Sequence, residues 1–309
     1  MRILGALRSR LSRALARSPI HQDDGAAASV LNRRNARSEL GMLPPEYFAR
    51  QKALIRDRLI AAIRSNPDAS LESLLADPDY ASLGERVVEY GWIAQRLLGD
   101  KTRGLRPGVL DVGCVLNNAI VSDVVMECCD SIWLMNPARE EVEYTERVAY
   151  LLADPRRHFL PRDVKFSRVT CFSTLEHVGM NNLRYGGDAG VSTSDTAHPE
   201  EEALSSVRSL WDLTAPGGTL SLSVPFGPFE YLYAQGDPRP IYYTCDKERL
   251  LNLLRAANAP LSEWGIEVWK VVPSVGWTPA SLDDRDISPH ATDCVGAGAV
   301  AIASLQKPN

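Results

Sequence analysis

Residues 173–178, Ser-Thr-Leu-Glu-His-Val, set a hydroxyl, a carboxyl and an imidazole next to one another. His177 has the intrinsic pKa of a general base toward a hydroxyl, and Glu176 beside it can orient the loop or act on a ligand. A helix cap or a loop tether accounts for His177 equally well. Further on, Arg184-Tyr185-Gly186-Gly187-Asp188 is a Gly-rich turn carrying an aromatic and an acid. Tyr185 can stack on a sugar face while Asp188 accepts from two hydroxyls; a plain surface loop is the other reading. Upstream, Val109–Asn117 (Val-Leu-Asp-Val-Gly-Cys-Val-Leu-Asn) begins as a buried strand and breaks at Gly113. Asn117 and Asn118 then stand where a helix should be capped. Strand, tight loop and helix N-terminus together aim backbone N–H groups and a positive dipole end at a crevice. In a doubly wound sheet such a crevice takes a nucleotide-like ligand.

The Val109–Asn117 segment resembles motif I of class I S-adenosylmethionine-dependent methyltransferases. The resemblance continues in order. Phe166–Gly179 is similar to the fourth strand of that fold and its loop, and Leu213–Gly227 to the helix end, Gly turn and fifth strand. The resemblance implies S-adenosyl-L-methionine as cofactor, with Asp111, Gly113, Cys114, Asn117, Asn136 and Ser173 at its site, and no metal. It implies methyl transfer to a small-molecule or glycan-linked acceptor, by O-methylation with His177 and Glu176 as catalytic residues and Tyr185 and Asp188 on the acceptor. The run Leu175-Glu176-His177-Val178-Gly179 with the Tyr185–Asp188 turn is similar to a bacterial branch associated with polysaccharide biosynthesis. The chain also departs from the pattern. Val115 and Asn117 replace two motif I glycines, and a Cβ at 115 narrows the approach to the backbone. Asn136 stands where an acid should accept from both ribose hydroxyls, and an amide is the weaker acceptor. Asp163 is the nearest candidate for an acid on the adenine. These substitutions keep a second function open: a methyltransferase-like protein without cofactor, serving as a binding or scaffold subunit.

Composition narrows the classes further. The 309 residues are 45% hydrophobic and 24% charged, ordinary for a globular chain with a sizeable core. A net charge of −5 argues against a general nucleic-acid binder. The six cysteines form no CxxC or metal-spaced pair, and Cys128 and Cys129 are adjacent, which fits a reducing cytoplasm. Neither a P-loop nor a Gly-x-Ser-x-Gly elbow occurs.

These residues need a scaffold, and from Gly108 the pattern alternates strand and helix, as in a parallel sheet covered on both faces. The expected fold is α/β: a doubly wound, mostly parallel, seven-stranded Rossmann-like sheet with a C-terminal antiparallel hairpin and N-terminal helices. Strands are expected near 109–113, 131–135, 166–173, 218–224, 264–272 and 297–305. Helices are expected near 118–128, 139–152, 200–214 and 246–258. Residues 44–99 read as three helices, the last from about Gly84 to Leu98 with Val87, Val88, Gly91, Trp92 and Gln95 on one side. The domain expectation is 1–43 as an amphipathic helix and linker, 44–107 as a helical extension, and 108–309 as the methyltransferase-like domain. In residues 1–17, five arginines and no acid accompany Ile3, Leu4, Leu7, Leu11 and Leu15 at helical spacing. A short cationic helix of this kind can lie in an anionic membrane surface. A cytoplasmic protein, peripheral on the inner face of the membrane, is the location this implies.

Overall fold

The computed structural model describes residues 45–156, 160–180, 199–233, 240–288 and 296–309. The expected helix over 1–17, its linker, and the Tyr185–Asp188 turn lie outside the described residues. Pro44–Asn309 forms one compact unit.

The centre of that unit is an eight-stranded sheet in the order β3-β2-β1-β4-β5-β10-β8-β9. Strand β1 (Gly108–Val112) pairs in parallel with β2 (Ser131–Asn136) on one side and β4 (Phe166–Cys171) on the other. Val109, Leu110, Asp111 and Val112 are all buried, as expected of a central parallel strand covered on both faces. Strand β3 (Val148–Leu152) extends the sheet beyond β2, and β5 (Thr214–Pro225) lies beside β4, both in parallel. Strand β10 (Ala299–Gln306) then runs antiparallel to both β5 and β8 (Trp264–Val272), which is the expected C-terminal reversal. An eighth strand, β9 (Gly276–Ala280), lies on the edge against β8 with Pro279 in it, a position where a missing N–H costs little. A separate hairpin pairs β6 (Glu230–Tyr233) with β7 (Pro240–Thr244).

Helix α1 (Pro45–Gln51) continues through a π-helical stretch, Lys52–Ile60, into α2 (Ala61–Ser65), and α3 (Leu71–Leu75) follows. Helix α4 (Arg86–Thr102) is the long one and packs across the sheet. Its Trp92 indole donates to Glu267 Oε1 of β8 at 2.9 Å and stands edge-on to Phe172 just after β4. Helices α5 (Ser122–Cys128), α6 (Pro199–Leu213) and α7 (Lys247–Ala256) complete the described set.

Two expectations are corrected. The helix expected over 139–152 is absent: β3 occupies its second half, and no helix forms in the first. Long-range contacts hold that first half out of a helix. Tyr144 donates to Leu116 O at 2.5 Å, and Asn117 binds the backbone of Glu141 and Glu143. The helix expected from Asn118 begins only at Ser122, because the Asn118 side chain accepts from Ile120 N at 2.9 Å and forms a turn of its own. The loop after β1 is therefore longer than its sequence suggested.

Candidate active site

A cleft of about 330 Å³ opens at the C-terminal ends of β1, β2 and β4, where ligands enter an open α/β sheet. Left-handed residues shape its floor, Gly113 (φ +87°) after β1 and Ser173 (φ 36°) after β4, with Cys114 (φ 58°) behind Gly113. Gly113 cannot be exchanged easily, since a Cβ there would lie 2.0 Å from Thr174 Oγ1. The space above the glycine thus belongs to the neighbouring loop.

Gly113, Asn136, Ser173, Glu176 and His177 line the cleft. Asp111, Cys114 and Asn117 do not; they stand behind it. Asp111 is fully buried and accepts from Leu116 N at 2.8 Å and Thr170 Oγ1 at 2.9 Å, which fastens the loop to β4. Burial outweighs those two hydrogen bonds and pushes its pKa up to about 7. Burial likewise raises the Cys114 thiol, leaving it a poor nucleophile. Asn117 donates to Glu141 O at 2.7 Å and accepts from Glu143 N at 2.9 Å, pinning the next loop. Asp163 lies on the turn before β4, away from the cleft wall.

The wall contains residues that the sequence did not single out. At the end of β2 the Asn136 amide donates to Glu140 Oε1 at 2.7 Å. A carboxylate therefore reaches the position where Asn136 itself offers none. Asp154 follows β3 by two residues and is clamped by the Arg156 guanidinium, which also meets Glu202 Oε2 at 2.8 Å. An Asn-x-x-x-acid spacing after an apolar strand was the available signal for Glu140; Asp154 needed β3 to be placed first.

The far end of the cleft is built by the first turn of α4 and the loop after β4. Glu89 is fully buried; its Oε1 accepts from Ser173 Oγ at 2.6 Å and Ser223 Oγ at 2.5 Å, and its Oε2 from Arg86 Nη1 at 2.5 Å. Glu85 accepts from Ala297 N at 2.7 Å, and burial raises its pKa. Glu176 is 1% exposed, its Oε2 has no hydrogen-bond partner among the described residues, and burial raises its pKa well above the usual carboxyl range. His177 is the last residue of a short 3₁₀ turn, Leu175–His177, and its Nδ1 lies 2.8 Å from Ile241 O. A carbonyl only accepts, so Nδ1 carries the proton, and Nε2 lies 3.9 Å from Glu176 Oε1. Burial lowers the imidazole pKa to about 4, so His177 is neutral at pH 7. The ring thereby ties the loop to the β6–β7 hairpin, with Tyr242 packed beside it.

No protein-family model matches the chain, and no curated protein matches it. Solved structures do align with it. The N-methyltransferase NodS from Bradyrhizobium japonicum, in complex with S-adenosyl-L-homocysteine, aligns at 10% identity over 82% of this chain and 100% of its own, with a TM-score of 0.41. The 1,6-didemethyltoxoflavin-N1-methyltransferase of Burkholderia thailandensis aligns at 13% identity over 86% and 92%, TM-score 0.41. The cyclase SpnF aligns at 16% identity over 87% and 99%, TM-score 0.40. The fold is defined by the sheet itself. Seven strands in the order third, second, first, fourth, fifth, last and last-but-one, with the last antiparallel, make a class I methyltransferase-like fold with one added edge strand.

Proposed function

We propose that this chain is an S-adenosylmethionine-dependent methyltransferase acting on a small-molecule acceptor. The observation that carries the reading is the Asn136–Glu140 pair, which supplies a cleft-facing carboxylate at the end of β2. The residues suit the nucleoside half of the cofactor. Glu140 would accept from the ribose hydroxyls, Asp154 would face the base, and the left-handed loop at Gly113 would border the methionine part. The cofactor supplies an electrophilic methyl group; the chain supplies positioning, exclusion of water and a proton acceptor. A glycan-linked hydroxyl, the acceptor read from the sequence, would engage Tyr185 and Asp188, but His177, its pKa lowered to about 4, is a weak base for its proton. Association with polysaccharide biosynthesis follows only from that acceptor.

Titration with S-adenosyl-L-homocysteine tests the reading. Glu140→Gln is expected to weaken binding by about 10- to 100-fold, the size of hydrogen bonds lost from a charged acceptor. An unchanged affinity would remove Glu140 from the site. A second reading, a scaffold without cofactor, is favoured by Thr174, whose side chain fills the space above Gly113.

No described helix is long and apolar enough to cross a membrane. Peripheral contact on a cytoplasmic membrane face is proposed for residues 1–17 on their arginines and leucines. Deleting them should reduce sedimentation with anionic vesicles and leave the melting temperature close to that of the full chain. Equal sedimentation of both proteins would refute the contact.

A further inference from the structure

Among the described residues, the lining of the cleft holds more carboxyl groups than guanidinium groups. Glu85 and Glu176 line it, Glu89 is buried behind them, and the Arg86 guanidinium on the wall is bonded to Glu89. Arg156, the other guanidinium on the wall, is held between Asp154 and Glu202. Glu176 is the exceptional member. It forms part of the cleft wall, is almost wholly buried, and leaves Oε2 without a hydrogen-bond partner among the described residues. A buried carboxyl oxygen left in that state is costly unless a ligand completes it.

Resting on the cofactor reading above, we propose that the acceptor is a primary or secondary amine whose ammonium group pairs with the Glu176 carboxylate. An ammonium brings both a positive charge and an N–H donor to Glu176 Oε2, which has no such donor among the described residues. A hydroxyl acceptor brings neither, and it asks for a strong base where the imidazole of His177 is held neutral with a pKa near 4. On binding, Glu176 releases its own proton to solvent and pairs with the ammonium. It then takes one proton from the ammonium, leaving a nitrogen lone pair. The nitrogen forms a bond to the methyl carbon as the carbon–sulfur bond breaks, and that electron pair stays on sulfur. The positive charge of the sulfonium passes to the methylated nitrogen, and the proton on Glu176 leaves to water with the product.

Three ligands titrated calorimetrically into the full chain test this without knowledge of the natural acceptor. S-adenosyl-L-homocysteine is a neutral thioether; S-adenosylmethionine carries a sulfonium but no N–H at that point; sinefungin carries an amine-bearing carbon in place of the sulfur. Sinefungin is expected to bind about 10- to 100-fold more tightly than the homocysteine ligand, as one charged hydrogen bond allows. Glu176→Gln should remove most of that preference while the affinity for S-adenosyl-L-homocysteine stays close to wild type. The proposal is overturned if sinefungin gains nothing, or if its gain survives Glu176→Gln. It is also overturned if S-adenosylmethionine gains and loses as much as sinefungin, because Glu176 then serves the sulfonium. Should Glu176→Gln not fold, the wild-type ranking decides alone, with sinefungin no tighter than the thioether as the overturning result. Failure of all three to bind would overturn the cofactor reading itself, and this inference with it.

Discussion

Gly113→Val is expected to destabilise the chain by about 2–5 kcal/mol, through left-handed backbone strain and overpacking together. The backbone at Gly113 has φ +87°, and the added Cβ would lie 2.0 Å from Thr174 Oγ1 and 2.7 Å from its Cγ2. Thr174 cannot swing away freely, because its hydroxyl donates to Phe172 O at 2.7 Å. The damage is therefore to the fold before any ligand is involved. In the double variant Gly113→Val/Thr174→Ala, about 1–3 kcal/mol should return as the overpacking is relieved, and the strain of φ should remain. Urea denaturation of the four proteins in the cycle measures this. Additive effects of the two substitutions would show that Thr174 is not what fills the site.

Glu89→Ala is expected to cost about 2–4 kcal/mol, since it strands several buried partners at once. Ser173 and Ser223 lose their shared acceptor, and Arg86 loses its ion pair. The Arg86 side chain is 30% exposed, so solvent recovers part of its share, whereas Ser223 is 1% exposed and recovers little. Because Ser173 and Arg86 line the cleft, ligand affinity should fall along with stability. Glu89→Gln, which keeps an acceptor oxygen, should lie between the two proteins. A loss below about 1 kcal/mol for Glu89→Ala, the worth of a single neutral hydrogen bond, would contradict the network described here.

The legible parts of the sequence were those where one signal outweighed the rest. Strand β1 is an apolar run broken only by Asp111, and β4 and β5 alternate apolar with polar residues before Ser or Gly loops; each overlaps its expected strand, with β5 starting four residues earlier. Strand β3 was hidden because Val148–Leu152 is only partly buried and follows a charged stretch that mimics a helix face. What holds that stretch open is Tyr144 and Asn117, partners from distant sequence that no local window contains. The site divides in the same way. Glu176 and His177 follow β4 directly, so locating the strand located them. Glu85, Arg86 and Glu89 are spaced like the solvated face of an ordinary helix, and only the sheet beneath α4 brings Glu85 and Arg86 to the cleft and buries Glu89 behind them. Glu140 was missed because an acid four residues past a strand acquires meaning only through the Asn136 amide that holds it.

Calorimetric titration of the full-length chain with S-adenosyl-L-homocysteine tests the central claim most directly. The account predicts saturable binding at one site per chain, weakened by Glu140→Gln, because Glu140, Asn136 and Asp154 line a single cleft. No heat and no thermal shift at millimolar ligand would contradict it, and would leave the methyltransferase-like fold serving as a scaffold.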